Sequence, residues 1–434
     1  MTAGNSRKRP ISGRAATKAG ARITEHRLGN GLTVLFAERH HDPVVNVMIW
    51  YRVGSRDEEE REAGVSHFLE HMMFKGSRRF GKGEIDRVTT ELGGSNNAFT
   101  GSDHTAYWFE FASDRWETAL DIEADRMRHL LLDPGEFDAE REVVLEELAM
   151  GEDDPWRVLM KHVEAAIFPR HPYGRPVIGY ADTLRGLAVG DMRDYYRRFY
   201  HPGNATLVVC GDVSPAEAER AARKRFEALE AGPAFEEADC FRGPVEALPG
   251  LVRLTTRWDD SGKRLCMAWQ TVPVATSDDD ALDLILAALT SGRASRLQRR
   301  LVHEEGLATN VSASNDTRVE GGAFWILAEC AQGVEPETLE RAVDEELDRL
   351  RTRRLSAAEL KRARDILRSS EALDGETVTD LAEELGEWAV DADWRLTIDQ
   401  DARLARFTPA ALQEAAARLL APERRVVGWS LPRA

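Results

Sequence analysis

The chain has 434 residues, 42% of them hydrophobic, with 75 acidic and 58 basic side chains and four cysteines. That length and apolar content provide for about two to three cored domains. A net charge of −17 excludes a nucleic-acid binder built on a phosphate-neutralising surface. The longest apolar run, around residues 282–289, is broken by Asp283 and too short to cross a bilayer, so no membrane span is expected. Cys210, Cys240, Cys266 and Cys330 show no C-x-x-C spacing and no disulfide-dense pattern, which points to a reducing compartment.

Residues 1–22 carry six basic and no acidic side chains among small polar residues and read as a disordered basic tail. The tail lacks the apolar core of a secretory signal, although an Arg-rich, acid-free start also suits a mitochondrial transit peptide. A bacterial cytoplasmic location is expected, or the mitochondrial matrix in a eukaryote. Residues 24–38 read as a hairpin turned at Asn30-Gly31, and residues 44–53 as a strand. The pattern then predicts a helix over 64–74, strands within 98–111, and helices over 116–132 and 138–151. A helix before His201 leads into a buried strand at 205–209. Residues 231–250 hold three prolines and three glycines without periodicity and read as an interdomain linker.

The remainder, 251–434, looks like a faint second copy of 23–230. Residues 265–272 match the strand before the first helix, and 280–290 match that helix. Residues 324–330 match 107–111, and "LSAAELKRARDIL" at 355–367 echoes "FDAEREVVLEELA" at 137–149. "RRVVGWSLP" near the end echoes "ATLVVCGDV". The expected fold class is α+β: two tandem related domains, each a mainly antiparallel sheet packed with helices.

Ten of the eleven histidines lie at or before His201. Among them, His67, Glu70 and His71 sit at i, i+3 and i+4 of the predicted helix over 64–74 and therefore project from one face. Two neutral imidazoles one turn apart can ligate a zinc ion and leave the carboxylate beside it to act on bound water; the order H-x-x-E-H is that of the inverted zincins. A catalytic zinc needs a third protein ligand. The helix over 138–151 offers Glu140, Glu142, Glu146 and Glu147, with Val143, Val144 and Leu148 as apolar positions to press it against the first helix. Spacing alone does not choose among the four.

"AGVSHFLEHMMFKGS" resembles the zinc helix of the pitrilysin/insulysin peptidases, nearest to the processing-peptidase-like branch. The resemblance continues in order through "LGGSNNAFTGSDHTAYWFEF", "EREVVLEEL", "HPYGRPVIGYADTLRGL" and "FYHPGNATLVVCGDV", then "SGRASRLQRRLVHEEGLA" in the second half. It covers most of residues 23–434. It implies a processing-peptidase-like metallohydrolase fold in which the two domains close as a clamshell around a chamber for short, unfolded peptides. It also implies one Zn2+ per chain held by His67, His71 and Glu147, Glu70 as general base, and Glu140 as a second carboxylate supporting the ligands. Asn97 and Ala98 match residues flanking the cleft, where the peptide substrate joins a sheet edge as an added strand. His104 and His201 are read as structural.

The sequence departs from the family at one place. Many members carry an Arg and a Tyr seven residues apart that grip the substrate backbone; here those positions hold Val302 and Thr309. Valine donates no hydrogen bond and threonine is too short to replace a phenol. The expectation is a zinc-bearing catalytic subunit whose homologous sister subunit brings the Arg/Tyr pair. The alternatives are a chain that works alone or as a self-sufficient homodimer, with a clamp built from groups such as Arg293, Arg296 or His303, and a non-catalytic structural subunit.

Overall fold

The computed structural model describes residues 16–233 and 243–433. The first half runs β1 (Ala16–Lys18), β2 (Ala21–Arg27), β3 (Thr33–Glu38), β4 (Val44–Tyr51), α1 (Val65–Met72), α2 (Glu84–Glu91), β5 (Ser95–Thr100) and β6 (Thr105–Ala112). It continues through α3 (Glu117–His129), α4 (Pro134–Glu152), α5 (Pro155–Ile167), α6 (Ala181–Gly186), α7 (Val189–Phe199), β7 (Ala205–Gly211) and α8 (Pro215–Phe226). The second half runs β8 (Val252–Trp258), β9 (Arg264–Thr271), α9 (Ser277–Thr290), β10 (Ala308–Thr317), β11 (Gly322–Cys330) and α10 (Pro336–Thr352). It ends with α11 (Ala357–Asp374), α12 (Val378–Asp391), α13 (Gln400–Leu404), α14 (Pro409–Leu419) and β12 (Arg425–Pro432).

The central strands are near-continuous apolar runs because both of their faces are covered. Every residue of β7 is buried, as is all of β4 after Val44. The first sheet has the order β1-β2-β3-β7-β4-β6-β5 and the second β10-β11-β9-β12-β8. Taken from one edge, β5-β6-β4-β7-β3 corresponds strand for strand to β10-β11-β9-β12-β8. Each set holds one parallel pair, β3 with β7 and β8 with β12, among antiparallel neighbours. The α+β class and the tandem repeat are thus present in the topology, with the β1–β2 hairpin as an addition to the first copy.

The halves are not separable at the expected boundary. One face of the first sheet is covered by helices of its own half, including α1, α3, α7 and α8. Its other face is covered by α12, whose Val378, Leu381 and Leu385 pack on Leu35, Met48, Trp50 and Val208. Reciprocally, Leu159, Val163 and Ile167 of α5 pack on Cys266, Ala268, Trp325 and Val426 of the second sheet. Because α4 and α11 are the segments that echo each other in sequence, α5 and α12 are equivalent helices, exchanged between the two copies. Polar ties reinforce the exchange: Arg318 Nη2 donates to Glu164 Oε1 of α5 at 2.6 Å, and His104 Nδ1 meets Asp391 of α12 at 3.1 Å.

Two expectations need correcting. The basic tail does not extend to residue 22: β1 pairs with β2, and the buried Lys18 ammonium is neutralised by Glu371 and Glu384, so residues 16–22 belong to the fold. The expectation for residues 1–15 lies outside the described residues. Of the linker, 234–242 also lie outside them, while Leu248 is buried and its N–H donates to Gln270 Oε1 at 2.9 Å. Among the described residues no helix is long and apolar enough to cross a membrane.

Because each sheet depends on a helix from the other half, the chain is expected to unfold as one cooperative unit. Leu381→Ala should remove about 2–5 kcal/mol from the unfolding free energy. Urea titration followed by fluorescence checks this; two separate transitions, with only the second-half one shifted, would contradict the exchange.

Candidate metal centre

Helix α1 starts at Gly64, whose φ of +99° and whose approach to the Ile178 carbonyl, 2.6 Å from where a Cβ would stand, leave no room for a side chain. The capping role passes to Glu58, which accepts from Gly64 N at 2.9 Å and Ser66 N at 2.8 Å. Burial pushes the Glu58 carboxyl up to about 7, against those two bonds. Phe68, Leu69 and Met72 point into the core, which leaves His67, Glu70 and His71 on the opposite side of the helix.

Helix α4 supplies the facing side chains. It begins at Pro134, four residues before the expected start, because Asp133 accepts from Gly135 N and Glu136 N and proline is tolerated in the first turn. Phe137, Glu140 and Val144 form its buried stripe, and the Phe137 ring stacks on Phe68 at 4.7 Å. Val143, expected to press against the first helix, instead lies 47% exposed, because it falls to one side of that stripe. Glu147 continues the stripe by one further turn. Glu142 and Glu146 are exposed.

This phasing settles which glutamate faces the imidazoles. Glu147 Oε2 lies 3.5 Å from His71 Nε2 and 3.7 Å from His67 Nε2. Donor atoms of the three residues all fall within 4.8 Å of one another. Tetrahedral zinc with ligands at about 2.0–2.2 Å would space its donors by about 3.3–3.6 Å, so the group fits that ion with small adjustments. The donor chemistry fits as well. The carboxylate of Glu140 can only accept, so His71 Nδ1, 3.0 Å from Glu140 Oε1, carries a proton, which leaves Nε2, beside Glu147, as the atom to ligate a cation. Glu140 Oε2 is bonded in turn to Lys75 Nζ at 2.6 Å.

Electrostatics keep the set ready for a cation. Burial, then the neighbouring His71, drives His67 down to about 4 in spite of Glu147, so its ring is neutral near pH 7. Burial raises Glu70, opposed by the hydrogen bond its Oε2 accepts from Thr100 Oγ1. Burial also acts to raise Glu140, but the bonds from Lys75 and His71 outweigh it and hold the carboxyl below its ordinary range. A cavity of about 420 Å³ opens beside His67, Thr100 and Glu147, with Leu148, Val158, Pro176, Val177 and Ile178 as apolar wall.

Asn97 and Ala98 lie on β5, the edge strand of the first sheet, three and two residues before Thr100. Asn97 is exposed and Ala98 half-buried. Neither belongs to the three-donor group. A second group of three donors among the described residues, His104, Glu387 and Asp391, has its imidazole already bonded to both Asp391 oxygens at 3.1 Å. Burial lowers His104 there, but the Asp391 charge and bond outweigh it and raise the imidazole, the behaviour of an ion pair. Val302 packs against the core of the second half, and exposed Thr309 sits at a β-bulge, where its hydroxyl donates to the Glu329 carbonyl. Arg296 is held by Glu359 at 2.8 Å. Sequence reasoning missed Glu58, Lys75 and Thr100. Lys75 had a signal, its i+4 offset from His71; the other two reach the site through tertiary contacts.

Residues 33–180 match the family model described as insulinase (peptidase family M16), and residues 187–367 that of the peptidase M16 inactive domain. A protein described as an uncharacterized zinc protease from Mycobacterium leprae is 31% identical over 332 residues, 75% of this chain and 74% of that protein. Another, from Streptomyces coelicolor, is 29% identical over 394 residues, 88% of this chain and 84% of its own length. The zinc protease PqqE of Helicobacter pylori is 28% identical over 344 residues, 77% and 76% of the two chains. The crystal structure of a protease from Helicobacter pylori superimposes with a TM-score of 0.90 at 24% identity, covering 95% of this chain and all of that one. At that identity the match speaks for the fold.

The depressed His67 gives a pH test on the metal-free chain. Between pH 6.5 and about 4 the unfolded chain takes up a proton at His67 that the folded chain refuses, so stability should fall as the pH is lowered through that window. His67→Gln should flatten that part of the slope in urea titrations. An unchanged slope would contradict the assigned shift.

Proposed function

The chain belongs to peptidase family M16, and on that premise we propose that it is a zinc-dependent endopeptidase with one zinc ion held by His67, His71 and Glu147 and with Glu70 as general base. The observation that carries this reading is the convergence of two imidazole nitrogens and one carboxylate oxygen at 3.5–3.7 Å, with Glu70 on the same helix face. Bound zinc would lower the pKa of a water toward neutrality and polarise the scissile carbonyl. Thr100 fixes one oxygen of Glu70, so the other is left to take the proton from the attacking water and return it to the departing nitrogen. Burial of Glu70 favours its protonated form and so assists the uptake of the proton from water.

Peptide binding follows from the free edge of β5. A substrate strand added there, past exposed Asn97 and half-buried Ala98, would be held by main-chain hydrogen bonds that place little demand on its sequence. The same strand carries Thr100, so the added strand and the general base share one support. The substrate is a short unfolded peptide admitted between the two halves.

The chain acts as the catalytic subunit of a heterodimer. Val302 and Thr309 leave the family's Arg and Tyr positions empty of suitable donors, and Arg296, a candidate replacement, is engaged by Glu359. A homologous sister subunit supplies the pair.

Glu70→Gln should retain about one zinc per chain while peptide turnover by the assembled enzyme falls by about 10²–10⁴, read by metal analysis and cleavage of an unstructured fluorogenic peptide on one sample. Undiminished turnover would remove Glu70 from the mechanism. In the same assay the unmodified chain alone should hold zinc but turn over slowly until the sister subunit is added. Full activity of the single chain would remove the heterodimer.

A further inference from the structure

The two imidazoles of the metal centre are supported unequally. His67 Nδ1 is buried without a hydrogen-bond partner among the described residues. His71 Nδ1 is bonded to Glu140 Oε1, and Glu140 spends its second oxygen on Lys75. Lys75 stands four residues beyond His71, where the chain leaves α1 with Lys75 N donating to the Met72 carbonyl at 3.0 Å. The carboxylate is therefore gripped at both oxygens by the segment that carries the imidazole it orients. A carboxylate bonded through one oxygen can still turn about its terminal torsion, which is broad. Bonded through both, its plane is fixed and Oε1 stays on the imidazole.

Resting on the assignment of His67, His71 and Glu147 as ligands, we propose that Lys75 is a positioning residue of the metal centre: by holding Glu140 in place it keeps the unprotonated Nε2 of His71 aimed at the metal. An ordinary surface ion pair would leave metal affinity untouched, and the structure provides one for comparison. Lys82 bonds Glu136 of the same helix α4 at the same 2.6 Å, but with side chains 62% and 26% exposed, against 28% and 9% for Lys75 and Glu140. Among the described residues, Lys82 and Glu136 bond no imidazole.

The test is the zinc affinity of the metal-free full-length chain, measured by competition with a chromophoric chelator, with circular dichroism as the check on folding. Lys75→Met is expected to weaken zinc binding about 10–100-fold, the cost usual for removing an outer partner of a ligating histidine. Lys75→Arg should restore most of it, and Lys82→Met should change nothing. Since Lys75 acts through Glu140, Lys75→Met added to Glu140→Gln should weaken binding no further. Should the methionine variant fail to fold, Lys75→Gln carries the same expectation. Unchanged affinity in a folded Lys75 variant, or losses that multiply in the double variant, would overturn the proposal while leaving the ligand assignment standing. An unmodified chain that binds no zinc would overturn both.

Discussion

The candidate metal centre exists only while α1 and α4 keep one register against each other. Helix α1 contributes two imidazoles and the proposed general base; α4 contributes the carboxylate that faces them. Sliding α4 by one residue would turn Glu146 or Leu148 toward the imidazoles instead of Glu147. The register is fixed by apolar contact, Phe68 stacked on Phe137 with Val144 buried a further two turns along, and by one polar contact embedded in the same stripe, His71 with Glu140. The ring pair adds about 0.5–1.5 kcal/mol beyond its buried area. The polar contact adds directionality, because a carboxylate accepts only where a ring nitrogen donates. Core packing and ligand orientation are thus a single arrangement.

That arrangement is in turn held by the way the two copies are interlocked. Helix α5 follows α4 after a short connection capped by Asp154, and its apolar face lies on the second sheet. Helix α12, its counterpart, lies on the first sheet behind β4 and β7. The end of α4 that carries Glu147 is therefore tethered to the far half, while β5 and Thr100 belong to the near one. The proposed general base and metal ligands therefore lie beside the junction from which α5 leaves for the second sheet.

How much of this the sequence discloses depends on how local the information is. His67, Glu70 and His71 share eight residues of helix, so their spacing already states their common direction. Glu147 does not stand out from Glu142 and Glu146 by spacing, because its selection depends on the phase of α4 relative to α1. That phase is set by the packing of Phe137, Glu140 and Val144 against α1. The family resemblance supplied what the spacing lacked. The α5/α12 exchange is hidden for another reason: an amphipathic helix declares that it has an apolar face but not which sheet will cover it. Lys18, a lysine among small residues, reads as solvated in sequence, whereas Glu371 and Glu384, distant in the chain, neutralise it in the fold.

The tandem copies have diverged in chemistry while keeping one topology. The strand order and the parallel pair are common to both sheets, and α4 and α11 occupy corresponding places, yet His67, His71 and Glu147 have their place in the first copy alone. Fold and function are therefore carried by different residues here: buried apolar side chains are shared, and half-buried polar ones are not.

The most direct test is crystallographic, with anomalous scattering measured on both sides of the zinc edge for the zinc-loaded chain. One peak is predicted, about 2.0–2.2 Å from His67 Nε2, His71 Nε2 and a Glu147 oxygen. A peak at His104, Glu387 and Asp391 instead, or none at a site that otherwise keeps its geometry, would contradict the assignment on which the proposed chemistry depends.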